Sequence, residues 1–66
     1  MQVIINGEPH QVPAPISLAQ AVALLTSART GVAAAVNGDV VRRAAWNATS
    51  LTDGDEVEVL TAVQGG

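Results

Sequence analysis

At 66 residues, with no cysteine and a single histidine, His10, the chain is one domain near the lower size limit for a self-sufficient core, and it has neither a disulfide nor a metal staple to draw on. Stability must come from packing, which a 48% share of hydrophobic residues, mostly Val, Ala, Ile and Leu with Trp46 as the only aromatic, makes feasible. The formal net charge of −3, six acids against three arginines and no lysine, lacks the cation density that nucleic acid or an anionic membrane surface demands, and suits a basic protein partner or simple solubility.

The opening run Met1 to Ile5 is β-branched and short, and Asn6-Gly7 after it is the strongest short-range hairpin signal, because both residues tolerate the positive φ of a type I′ turn. The return runs from Glu8 to Val12. Pro9 lies inside it without an N–H to donate, which places this strand at a sheet edge. The two-residue period puts Val3 and Ile5 together on the core face.

Pro13-Ala14-Pro15 closes the hairpin, and Ser17 with Gln20 three residues on forms a capping box for a helix through Leu25. Leu18, Ala21, Val22 and Leu25 make its apolar stripe. After a connection over Thr26 to Thr30, Gly31 is a stop signal, and Val32 to Val36 reads as the third strand. Asn37-Gly38 repeats the hairpin signal and Asp39-Val40-Val41 begins the return. Arg42 to Ser50 is irregular, with a short helical turn expected near Ala44 to Trp46. Thr52 to Asp55 is a tight turn, and Glu56 to Val63 a last strand with Val57 and Val59 inward.

One amphipathic helix on a mixed sheet of about five strands is a two-layer α+β domain. Periodicity admits several small α+β arrangements. By analogy the order fits the ubiquitin-like β-grasp, in which the first and last strands lie parallel at the centre. The expected division is a β-grasp domain over residues 1–64 followed by a flexible diglycine tail, 65–66. With neither a charged leader nor an apolar run of about 20 residues, the chain is expected in the cytoplasm, bound to no membrane.

The side chains offer no enzyme. There is no phosphate-binding glycine loop and no metal-ligand spacing. His10, next to Pro9 on an edge strand, reads as a surface residue, and Ser17 already serves as a cap. Asp53, Asp55, Glu56 and Glu58 read as a solvated turn and strand face, too short and too poor in ligands for calcium. What remains is the chain's end, Gln64-Gly65-Gly66. Two terminal glycines occur by chance in roughly 0.5% of chains. Without Cβ atoms such an arm fits a narrow channel in another protein, and it ends in a carboxylate that is ionised at neutral pH. Activated through the α-phosphorus of ATP, that carboxylate becomes an acyl-adenylate open to attack by sulfur. Since the chain has no cysteine, its carboxyl terminus is the only plausible sulfur site. A frayed end without function is the alternative that composition leaves open.

Over essentially its full length the chain resembles the ThiS family of thiamine-biosynthesis sulfur carriers. The shared features are the first strand with Asn6-Gly7, the helix Ser17 to Leu25, Ala35-Val36-Asn37-Gly38, Val41-x-Arg43-x-x-Trp46, Asp53-Gly54-Asp55 before a Val-rich strand, and Gly65-Gly66. Arg42 stands where the family often has proline. The resemblance implies a ThiF-class adenylyltransferase that uses ATP and magnesium on Gly66, sulfur drawn from cysteine through a cysteine desulfurase, and thiazole synthase as acceptor. The chain itself would bind no cofactor. Trp46 is expected to close the core with its N–H on backbone, and Arg43 to meet an acid of the chain's own surface or of a partner. Leu60 and Ala62 are candidates for an exposed docking patch, or for cover by the chain's own loops. The small subunit of molybdopterin synthase and a noncovalent ubiquitin-like binding module are the alternatives.

Overall fold

In the computed structural model, residues 1–26 and 31–61 are described. The strands are β1 (Gln2–Ile5), β2 (Glu8–Gln11), β3 (Val32–Val36), β4 (Asp39–Val41) and β5 (Glu56–Thr61). Helix α1 (Leu18–Leu25) follows β2, and a 3-10 helix, Arg43–Ala48, follows β4. They form one sheet in the order β2-β1-β5-β3-β4. β1 runs parallel to β5, and the remaining pairs are antiparallel. The arrangement is the β-grasp expected from the sequence. β2 is an edge strand, with Pro9 opposite Ile4, so the missing donor disturbs no inner ladder.

Both hairpins turn on left-handed pairs: Asn6 and Gly7 at φ 51° and 83°, Asn37 and Gly38 at 50° and 87°. A Cβ added to Gly7 or Gly38 would meet nothing within 4 Å, so glycine serves the positive φ and not a tight fit.

Helix α1 begins with the capping box: Gln20 N donates to Ser17 Oγ at 3.1 Å, and Ser17 N donates to Gln20 Oε1 at 2.9 Å. Leu18, Ala21 and Val22 pack against Val3, Ile5, Ala34, Val57 and Val59 of the sheet. Each large aliphatic side chain so buried contributes about 1.5–3 kcal/mol. Leu25 departs from the expected stripe and is 41% exposed. It is the last helical residue. Thr26 leaves helical backbone at φ −148°, so no further turn closes over Leu25.

The segment after β4 is more regular than expected, a 3-10 helix of six residues where a short turn was anticipated. It is tied to the start of α1: Leu18 N donates to Thr49 O at 2.8 Å and Leu51 N to Ile16 O at 3.0 Å. Trp46 is 4% exposed, and its Nε1 donates to Val41 O at 2.8 Å, the expected seal beneath this segment. Gly31, at φ 71°, precedes β3, which has its expected bounds. The rest of the connection before it, residues 27–30, and the expected extension of β5 to Val63 fall outside the described residues, as does the boundary between domain and tail.

Candidate functional site

The predicted site residues divide in two. Ala62, Gln64, Gly65 and Gly66 lie outside the described residues. What the structure describes is the root from which they continue: β5, flanked by β1 and β3, and the sheet face turned away from the helix.

That outer face follows from the period of two. Val57 and Val59 are buried under α1, so Glu56, Glu58 and Leu60 point the other way. The register sets Ala33 beside Leu60, Ala35 beside Glu58, and Val40 beside Ala35. Leu60 is 68% and Val40 81% exposed, so the two present apolar surface on this face. Small side chains between these two leave an open groove of about 210 Å³, lined among others by Ala33, Ala35, Gly38, Val40, Glu58 and Leu60. A second depression, of about 440 Å³, shares Ala33 and Leu60 and reaches Gly31 and Thr61 at the end of β5. Among the described residues, Glu58 is the one ionised lining group in either.

The acidic residues behave as a solvated turn and strand face. Asp53 Oδ1 accepts from Gln2 N at 2.8 Å. Asp55 Oδ2 accepts from Thr52 N at 2.7 Å, and its Oδ1 accepts from Asn37 Nδ2 and Thr52 Oγ1, each at 3.1 Å. The backbone donor of Thr52 is the main reason its carboxyl sits below the usual carboxylate range. Slight burial opposes this, and the Asn37 and Thr52 side chains add to it. Among the described residues no cluster of His, Cys and carboxylates could hold a metal ion. His10 is half-buried on the edge strand, so it is less exposed than a plain surface residue. The register explains this by setting it beside Val3, on the helix side of the sheet. Arg43 lies over the Trp46 ring, 4.8 Å from its centroid, a cation–π contact that the two sequence alternatives did not include.

Two further groups escape a reading by motif. Asn6 and Asn37 read as turn residues alone, yet both carboxamides reach β5. Asn6 bonds Val59 N and O, and Asn37 Oδ1 accepts from Glu56 N at 3.0 Å. Their three-dimensional reach depends on strand order, which the Asn-Gly dipeptide does not encode. Val40, by contrast, was legible as outward-facing once β4 was placed.

A model of the ThiS family matches residues 3–66. The chain belongs to the ThiS family. Its fold is similar to the crystal structure of the thiamine biosynthesis protein ThiS from Geobacter metallireducens, at 33% identity and a TM-score of 0.79, with all of both chains covered. The solution structure of a thiamine biosynthesis protein from the same organism is similar at 33% identity and a TM-score of 0.82, covering all of this chain and 88% of that one. A search of curated proteins finds no significant match. At family level, ThiS proteins are small sulfur carriers of thiamine biosynthesis and not enzymes in themselves. The ThiS match runs through Gly65 and Gly66, the residues that the sequence singles out.

Proposed function

We propose that this chain carries sulfur for thiazole formation as a thiocarboxylate on Gly66. The Gly66 carboxylate attacks the α-phosphorus of ATP in a ThiF-class adenylyltransferase, releasing pyrophosphate and leaving an acyl-adenylate. ATP and magnesium belong to that enzyme. A sulfur nucleophile, supplied from cysteine through a cysteine desulfurase, displaces AMP. Thiazole synthase then takes the sulfur. Gln64 and Gly65 pass through the enzyme's channel, where the missing Cβ of Gly65 removes a clash.

The observation that carries this reading is the family match over residues 3–66, which includes the diglycine. It favours the thiamine branch over the small subunit of molybdopterin synthase. The outer sheet face is the proposed docking surface, with Leu60 and Val40 as apolar anchors, Ala62 as their continuation, and Glu56 and Glu58 facing cations of the partner. Arg43 is proposed as an added contact with an acidic partner group. The proposed compartment is the cytoplasm. No helix among the described residues is long and apolar enough to cross a membrane.

Deletion of Gly66 tests the carrier reading against a noncovalent ubiquitin-like module. The carrier loses all thiazole formation while its unfolding midpoint stays near that of the intact chain. A noncovalent module keeps its partner function.

A further inference from the structure

We infer that Asn6 is a positioning residue for sulfur loading, its carboxamide acting as a surrogate strand partner that fixes the end of β5 leading to residues 62–66. The inference rests on the carrier reading for what that strand delivers.

The parallel pairing of β1 with β5 ends at Ile5 opposite Val57, where Asn6 N donates to Val57 O at 2.9 Å. The chain then turns away into Gly7 and Glu8, while β5 continues to Thr61. β3 holds the opposite edge of β5 through the pair Val32–Thr61. On the β1 edge, among the described residues, no backbone group pairs with Val59. Asn6, held at φ 51°, supplies the missing partner: its Oδ1 accepts from Val59 N at 2.8 Å and its Nδ2 donates to Val59 O at 3.1 Å. One carboxamide thus satisfies both backbone groups of one residue, standing in for the carbonyl and the amide that two successive peptide units of a longer β1 would offer. Aspartate offers two acceptors and no donor when ionised, and glutamine is a methylene too long for the same reach.

The second hairpin provides an internal control. Asn37 has the same turn geometry, but its carboxamide meets Glu56 N and the Asp55 carboxylate, at the beginning of β5. Matching turns therefore clamp opposite ends of one strand, and only the Asn6 clamp lies near the end that continues toward Gly66. A carrier whose last strand residues leave their register is competent for only part of the time. That raises its apparent KM in proportion and leaves the step after docking unchanged.

Glycine keeps the positive φ at either turn and removes only the carboxamide. The test is ATP–pyrophosphate exchange by the cognate adenylyltransferase, measured against concentration of the full chain, for wild type, Asn6→Gly and Asn37→Gly. Two lost hydrogen bonds predict a KM for Asn6→Gly roughly tenfold above wild type with kcat retained, and a KM for Asn37→Gly near wild type. Thermal midpoints should fall by similar amounts in both, separating positioning from general stability. In Asn6→Asp the ionised carboxylate opposes Val59 O, and protonation restores a donor. Its KM relative to wild type should therefore fall as the pH is lowered. Equal KM values for the two glycine variants overturn the inference with the carrier reading intact. No exchange with the wild-type chain overturns the carrier reading, and the inference with it.

Discussion

The two faces of this sheet are built from the same strands and meet opposite fates. Val59 and Leu60 are consecutive and aliphatic, yet Val59 belongs to the core and Leu60 is largely exposed. Val41 and Val40 differ in the same way: Val41 packs against the core and Val40 does not. Parity along the strand decides the matter, because one helix covers one face. The covered face supplies the folding energy. The open face keeps apolar area that folding does not use, which leaves its burial energy available for association.

The sharpest way to break this comparison is through the covered face. Leu18 is fully buried between helix and sheet. Leu18→Ala is expected to cost about 2–5 kcal/mol in denaturant unfolding, a large part of what so small a domain has. A smaller effect is expected from Ser17→Ala, which removes the helix cap and should cost about 1 kcal/mol in the same experiment.

Asp55 sharpens the comparison through pH. Its folded pKa lies below the ordinary 3.8, so its contribution is present above that value and is lost as pH falls through the folded pKa. Asp55→Asn should therefore lower stability modestly at neutral pH and flatten the loss of stability in acid below 3.8. Denaturant unfolding across that range gives both quantities. The smallest effect on stability belongs to the open face: Leu60→Ser should stay within about 0.5 kcal/mol of wild type. The same substitution should weaken docking to the adenylyltransferase by about tenfold, or 1.4 kcal/mol, in titration calorimetry. A large stability loss at Leu60 with unchanged docking would reverse the assignment of the two faces.

Much of the fold was legible because it depends on local chemistry. Asn6-Gly7 and Asn37-Gly38 declare their turns, Ser17 with Gln20 declares the helix start, and Pro9 declares an edge. Leu25 was misplaced because the periodic pattern outlasts the helix, which ends where Thr26 leaves helical backbone. The extent of the 3-10 helix was not legible, since Ala44, Ala45 and Ala48 suit several conformations and contacts with the start of α1 decide among them. Of the site, the Leu60 patch followed from alternation along β5. The stacking of Arg43 on Trp46 and the reach of Asn6 to Val59 depend on folding geometry that no local pattern carries.

The most direct test of the carrier reading is fragment-resolved mass spectrometry of the chain after incubation with the adenylyltransferase, ATP, magnesium and a sulfur source. The expected product has one oxygen exchanged for sulfur in the fragment that ends at Gly66, with no change in a chain lacking that residue. An unchanged terminal fragment under conditions that support thiazole formation, or sulfur located on any other residue, would contradict it.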